Sequence, residues 1–306
     1  MTRDSRITTD VDQAVGVLLR GGIIGLPTET VYGLAAVADN QEAVMRVFDT
    51  KGRPTSHPLI VHLGTNVNKH EWGIFNEAAE ALAQAFWPGP LTLLVPRTPK
   101  VPDWVTGGRE TVALRVPVHP VAMTLLNNIG TGVVAPSANR FGRVSPTTAQ
   151  HVEDDLGTDV DLILDGGPCD VGVESTIVEC VGDEVRILRP GVIGVEDIQR
   201  VVTLSQTALD EESRAPGMLA SHYAPRAEIL LFETLSEAVS RVATLHQGGR
   251  SARVLHYEDD NVYAEHLYSE LRQADEDSIE VICAVLPSAS GIGLAIRDRL
   301  GKAAHR

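Results

Sequence analysis

The strongest constraint on the fold is a series of short apolar runs, each closed by a proline, a glycine or a small polar residue and separated from the next by helical periodicity. In order they are GGIIGLP, PLIVHL, LTLLVP, TVALRVP, GVVAPS, DLILDGG, ESTIVEC and VRILRPG, with an amphipathic helix near residues 10–20. Runs of this length bounded by turn residues read as strands, and their alternation with helices reads as one α/β sheet. Proline ends a ladder by removing a donor, so Leu26-Pro27, Val95-Pro96, Val116-Pro117 and Ala135-Pro136 mark strand exits where polar loops begin. Ser145 before Pro146 has the form of an N-cap with proline at the first helical position.

Residues 203–226 break the pattern with TLSQTALDEESRAPGMLASHYAPR, a polar stretch of little periodicity that predicts a linker, its Asp-Glu-Glu run at 210–212 a solvated charge. Beyond it, AEILLF, a helix opened by the capping box Thr234 to Glu237, ARVLHY, a second helix, EVICAVLP and a final helix predict a small parallel sheet. The expected organisation is therefore an α/β domain over 1–202, a linker or lid over 203–226, and a small Rossmann-like domain over 227–306. A chain of 306 residues suits two cores.

Charge and cysteine usage exclude several classes. The net charge is −15, from 26 Lys and Arg against 41 Asp and Glu, so the chain repels polyanions and any anion must meet a local basic pocket. Cys169, Cys180 and Cys283 are odd in number and widely spaced, which predicts small buried residues rather than disulfides or a thiolate metal site. No apolar run reaches the roughly 18 residues of a membrane span and the N-terminus shows no signal core, so the expected location is the cytoplasm.

The common nucleotide and hydrolase signatures are absent: no phosphate-binding G-x-x-x-x-G-K-[ST], no complete dinucleotide fingerprint at Gly291-Ile292-Gly293, no second histidine for His70-Glu71, no G-x-S-x-G around Ser137. What remains is less conventional. Lys51-Gly52-Arg53 places a point charge and a planar fork around a glycine, suited to a polyphosphate, although such clusters are more often solvated surface. Arg115 and Arg189 stand at strand ends, where a lone arginine is more often a surface ion pair than a ligand. Thr28, Glu29, Thr30 and Tyr32 follow one strand exit and Ser137 with Asn139 another, so both groups either converge at a crevice or serve local turn chemistry.

The strings PTETVYGLAA (27–36), KGRPTSHPLIVH (51–62), WPGPLTLLV (87–95), LRVP (114–117), APSAN (135–139) and ESTIVE (174–179), in this order, resemble the YrdC-like threonylcarbamoyl-AMP synthases over nearly all of 10–202. APGMLASHYAP (215–225) and GIGLAIRDRLGKAA resemble the two-domain form. The resemblance implies a twisted, mixed sheet around a concave active site and a synthase that joins L-threonine, bicarbonate and ATP into threonylcarbamoyl-AMP with release of pyrophosphate. A transferase complex would then pass the group to tRNA.

Position by position, the resemblance puts Lys51 and Arg53 in the catalytic and ATP-binding set, with His57, Thr111, Ser137, Asn139, Ser145, Arg189 and Tyr223 as further ATP contacts. His57 stands where the family often has asparagine. Threonine would meet Thr30, His62, Arg115, Ala135 and Ser175, with Arg115 pairing the carboxylate on two prongs and Ala135 offering only backbone or methyl contact. No Asp or Glu base stands out. Magnesium would arrive with ATP, without a dedicated protein metal site, and the acidic chain implies weak or absent direct tRNA binding. The motif also resembles domains regarded as double-stranded RNA binders and a carbamoyl-transferring domain of hydrogenase maturation, and an inactive regulatory homologue would carry similar strings.

Overall fold

The apolar runs of the N-terminal two thirds become strands of a single sheet in the computed structural model, which describes residues 6–205 and 223–305. They are β1 (Ile7–Thr8), β2 (Ile24–Leu26), β3 (Gly33–Val37), β4 (Ile60–His62), β5 (Leu91–Pro96), β6 (Thr111–Arg115), β7 (Val133–Val134), β8 (Leu162–Leu164), β9 (Thr176–Val181) and β10 (Glu184–Arg189). Their order is β1-β8-β2-β3-β7-β4-β6-β5-β9-β10, parallel at β1/β8, β8/β2, β4/β6 and β5/β9 and antiparallel elsewhere. The mixed sheet agrees with expectation. Neither β1 nor β3 is among the expected strands: β3 is Gly-Leu-Ala-Ala-Val, whose small residues carry little strand signal.

Helices take the apolar residues that alternate out of the strands. The helices are α1 (Val11–Leu19), α2 (Gln41–Lys51), α3 (Glu77–Phe86), α4 (Asp103–Thr106), α5 (Pro120–Ile129), α6 (Ala149–Leu156) and α7 (Val195–Gln199). On one face, Val47 and Phe48 of α2, Leu82 of α3 and Val152 of α6 share a core with Leu34, Val61, Leu93, Leu114 and Val178. On the other, Leu18 of α1 and Leu125 and Leu126 of α5 pack on Leu26, Val133 and Leu164.

Strand period then dictates what faces away from the α2/α3 core. Val61 and Leu114 point into it, so Ile60 and His62 on β4, and Ala113 and Arg115 on β6, point to the opposite side. The parallel register pairs Ile60 with Ala113 and His62 with Arg115, so the histidine and the arginine stand side by side at the strand ends.

Ser145 does not cap a helix. The following helix α6 starts at Ala149 with Thr148 as its cap, and the Ser145 hydroxyl is spent elsewhere.

The C-terminal part is a three-stranded parallel sheet of β11 (Glu228–Phe232), β12 (Ala252–Leu255) and β13 (Val281–Val285), with β13 central. Helix α8 (Leu235–Gln247), opened by the expected Thr234/Glu237 capping box, covers one face against Val281, Cys283 and Val285. Helices α9 (Asp260–Glu276) and α10 (Gly291–Ala304) cover the other against Ile282 and Ala284. This is a doubly covered parallel α/β unit, although its last strand lies at the centre.

The outer surfaces of α9 and α10 bury a second time, against the large sheet's loops. Val31, Val144 and Val173 join Tyr263, Leu267, Leu271, Ile296 and Leu300 in one cluster, at about 1.5–3 kcal/mol for each fully buried aliphatic side chain. Arg272 of α9 adds an ion pair with Asp155 of α6, its Nη1 3.0 Å from Asp155 Oδ1. The lid expected over 203–226 falls mostly on residues 206–222, outside the described residues, as does the 210–212 acidic run. All three cysteines are free and buried.

Candidate active site

A cavity opens on the face that carries His62 and Arg115. Its walls are Thr28, Thr30, Val31, Gly33, Arg53, Ile60, His62, Arg115, Ala135, Pro136, Ser137, Glu174, Ser175, Arg189 and Tyr223. Thus Thr30, His62, Arg115, Ala135 and Ser175 meet Arg53, Ser137, Arg189 and Tyr223 in one place, though they come from eight separate segments.

The Pro27–Val31 loop is set by Thr28, whose hydroxyl donates to Val31 O at 2.6 Å and accepts from the amides of Thr30 and Val31. It aims Thr30 and Glu29 at Arg115. Arg115 Nη1 donates to Thr30 Oγ1 at 2.9 Å, Nε to Gly89 O at 3.3 Å, and Nη2 lies 2.6 Å from Glu29 Oε1. Arg115 is therefore a buried, multiply held group and not a surface ion pair.

Ser175 is equally constrained. Its hydroxyl shares a 2.7 Å hydrogen bond with Thr92 and accepts from Arg189 Nη2 at 3.1 Å, while Arg189 Nε and Nη2 also donate to Ser175 O. Beside it, burial and the Arg115 charge lower the His62 pKa to about 3, so the imidazole is neutral near neutral pH.

Gly33 is required by close approach. A Cβ there would stand 2.8 Å from Ala135 Cβ, inside contact distance, so only glycine lets β3 run this close to the Ala135–Ser137 segment.

The two cations of Lys51-Gly52-Arg53 take different roles. Gly52 closes α2 in the left-handed region, φ 64°, a conformation glycine adopts without strain. Arg53 reaches the cavity: Nη2 donates to Pro58 O at 3.0 Å, Nε is buried without a hydrogen-bond partner, and the guanidinium lies 5.8 Å from the Phe141 ring. Among the described residues no carboxylate pairs with it, and burial lowers its pKa to about 10. A buried cation with an orphaned donor facing a cavity suits an anionic ligand.

Lys51 does not line the cavity. Its ammonium donates to Ser137 O, and to Asn139 O at 2.6 Å, which pins the Ser137–Asn139 loop from behind. Burial, then Arg53, pushes its pKa well below the ordinary lysine value. Both of these bonds go to main chain. Asn139 also works within the loop, donating from Nδ2 to Arg140 O and Arg143 O at 2.8 Å each.

His57 is half-buried against Phe141, ring centroids 5.6 Å apart, and burial lowers its pKa. Thr111 begins β6, four residues before Arg115 and opposite Pro96 of β5; it is not on the cavity wall. Ser145 lies behind the wall, where its hydroxyl donates to Glu174 Oε1 at 2.6 Å.

Sequence reasoning singled out no acid as a base and missed Glu174, which forms part of the wall; Glu29, noted at its strand exit, pairs with Arg115. Glu174 Oε2 accepts from Tyr268 at 2.8 Å and from Arg299 Nε at 3.0 Å, groups supplied by α9 and α10. Burial alone would raise the Glu174 pKa, but Arg299 and Arg189, with the Ser145 and Tyr268 hydrogen bonds, hold it at about 2. Tyr223 is buried between these groups, its ring 5.7 Å from that of Tyr268 and 5.6 Å from the Arg299 guanidinium. The C-terminal unit therefore backs one wall of the cavity, through Glu174 and Tyr223, without lining it.

The chain matches two family profiles end to end: Sua5/YciO/YrdC, described as telomere recombination, over residues 16–191, and Sua5_C, described as the threonylcarbamoyl-AMP synthase C-terminal domain, over residues 193–305. It is 40% identical to the threonylcarbamoyl-AMP synthase of Bacillus subtilis across 96% of this chain and 92% of that one. With that of Pyrococcus abyssi it shares 37% identity over 95% of this chain and 92% of the other. The crystal structure of P. abyssi Sua5 complexed with L-threonine superposes with a TM-score of 0.89 at 35% identity, covering 96% of this chain and 94% of that one. Putative threonylcarbamoyl-AMP synthases of Mycobacterium tuberculosis align with only 64% of this chain while covering 90% of their own length. With both profiles matched and full-length relatives at this identity, the chain belongs to the two-domain Sua5 branch of the YrdC-like threonylcarbamoyl-AMP synthase family.

Proposed function

We propose that the chain is an L-threonylcarbamoyladenylate synthase serving threonylcarbamoyladenosine modification of tRNA. The observation that carries this reading is the meeting, in one buried cavity, of Arg115, Thr30, His62 and Ser175 with Arg53, Arg189, Ser137 and Tyr223. The first four suit a small hydroxylated amino acid, and the second group suits a nucleotide anion.

In this reading the amine of L-threonine attacks the carbon of bicarbonate, and water leaves to give the N-carboxy derivative. An oxygen of the new N-carboxylate then attacks the α-phosphorus of ATP, the bond from that phosphorus to the oxygen bridging the β-phosphate breaks, and pyrophosphate departs with the electron pair. Arg115 holds the threonine carboxylate, while Thr30, His62 and Ser175 orient its side chain and amine. His62, neutral at working pH, offers a hydrogen bond without charge. Arg53 and Arg189 meet the phosphates, and their fixed positions stabilise charge at the transferring phosphorus. Lys51 and Asn139 keep Ser137 in place and Ala135 contributes to the wall, while His57, Thr111 and Ser145 stand outside it.

Magnesium enters with ATP, neutralising phosphate charge. The carboxylate on the wall, Glu174, already accepts from Arg299, Tyr268 and Ser145, so the metal would be held chiefly by the phosphates it arrives with. The product passes to a threonylcarbamoyl transferase complex acting on tRNA in the cytoplasm, and the net charge of −15 disfavours a tRNA grip by this chain itself.

Pyrophosphate release by the purified protein tests this with bicarbonate, magnesium, ATP and either L-threonine, L-serine or no amino acid. Release that needs both threonine and bicarbonate is expected. Release indifferent to either sinks the proposal.

A further inference from the structure

The Glu29 carboxylate is buried, 4% exposed, yet it does not reach the cavity. Its side chain goes to Arg115, Oε1 lying 2.6 Å from Nη2. The main chain beneath it is fixed by Val171 N donating to Glu29 O at 2.8 Å and by the Thr28 turn on either side. Burying a carboxylate is costly unless a charge offsets it, so a Glu here is better explained by the orientation it gives its partner than by stability.

The geometry shows what that orientation achieves. A guanidinium has five N–H groups. Gly89 O takes the one on Nε, Thr30 takes one from Nη1, and Glu29 faces Nη2. The Glu29 contact is a close ion pair without hydrogen-bond alignment, so one N–H of Nη1 and both of Nη2 have no hydrogen-bond partner among the described residues, leaving both terminal nitrogens able to serve a ligand carboxylate on two prongs. The Nε contact, at 3.3 Å to a neutral carbonyl, is too weak to fix the plane alone.

We propose that Glu29 is the positioning residue of the amino-acid half of the site, orienting the Arg115 fork toward the substrate carboxylate from the side away from the cavity. The inference rests on the reading that Arg115 binds the threonine carboxylate. Glu29 itself takes no proton from substrate, since it is not on the cavity wall.

Glu29→Gln keeps size and polarity while removing charge, and Arg115→Ala and the double variant complete a cycle. The measurements are L-threonine affinity by calorimetry with a non-hydrolysable ATP analogue present, and pyrophosphate release with each substrate varied. Glu29→Gln is expected to raise the threonine Kd and KM by about tenfold or more, the scale of losing the outer partner of a ligating group, while the ATP KM stays within about twofold. In the Arg115→Ala background the same change should add nothing further. Unchanged threonine affinity in Glu29→Gln overturns the inference, as does a matching loss toward ATP, which would mark a general structural role. A kcat collapse with KM intact overturns it too, because that is the signature of a base. If Arg115→Ala leaves threonine binding intact, the reading of Arg115 fails first and the inference falls with it.

Discussion

Arg299 Nε lies 3.0 Å from Glu174 Oε2, a pair formed across 125 residues of chain that joins helix α10 to the wall of the cavity. Arg299 is 1% exposed and also donates through Nη1 to Pro190 O and Asp298 Oδ2, each at 2.8 Å. Arg299→Met leaves the Glu174 charge buried and short of its main partner, and the expected loss is about 3–5 kcal/mol. Urea titration should show it. Adding Glu174→Gln should return part of the loss, because the second change removes the uncompensated charge. An additive result would mean the two groups are energetically independent.

Two titrating groups of the site make distinct contributions to acid stability. Glu174 has its folded pKa depressed from 4.5 to about 2, so its contribution is whole above pH 4.5 and disappears as pH falls toward 2. For His62 the depression is from 6.5 to about 3: the unfolded state binds the proton more readily, and stability is lost as pH falls from 6.5 toward 3. Melting temperature against pH for His62→Asn should be flatter than wild type over the upper window, and for Glu174→Gln over the lower one. Identical curves would contradict both assignments.

Lys51→Met removes the donor to Ser137 O and Asn139 O while keeping the apolar stem. Two buried carbonyls then lack their partner, at about 1–3 kcal/mol each. Amide hydrogen exchange across 137–143 should accelerate and ATP affinity should fall with it. Loss of ATP affinity with exchange unchanged would instead assign Lys51 a direct phosphate contact.

Gly33→Ala introduces a Cβ 2.8 Å from that of Ala135. Strand β3 or the 135–137 segment must move, at about 1–3 kcal/mol, and threonine KM should rise with the displaced wall. An unaffected KM would mean the Ala135 wall is not part of the threonine site.

Tyr223→Ala removes a ring from the cavity wall that stacks on Tyr268. ATP affinity should fall by about tenfold, the scale of an aromatic platform lost to a base. Equilibrium binding of an ATP analogue measures it, and unchanged affinity would detach Tyr223 from the nucleotide.

Much of this site was legible where function coincides with strand ends. Thr30 and Arg115 stand out as polar residues at strand exits, although that position alone leaves turn chemistry and a surface ion pair open, whereas His62 and Ser175 were legible only through the family resemblance. Glu174, Tyr268 and Arg299 were not, because their relationship exists only after two distant segments dock; nothing within eight residues of Arg299 hints at a carboxylate 125 positions away. Lys51 illustrates another limit. A lysine that grips main-chain carbonyls and a lysine that grips phosphate have the same local sequence, and only burial and partner geometry separate them. Strand β3 escaped because alanine and glycine say little about pleating, although their smallness is what admits the neighbouring loop.

The side-by-side register of His62 and Arg115 limits how such a site diversifies. Inserting or deleting one residue within β4 or β6 would turn every following side chain over, sending a guanidinium into the layer of Val47, Phe48 and Leu82 and an aliphatic group out to the substrate. Point replacements leave that parity intact. Substrate preference in this architecture therefore drifts through exchange of side chains at constant strand length, while changes of length are confined to the turns between strands.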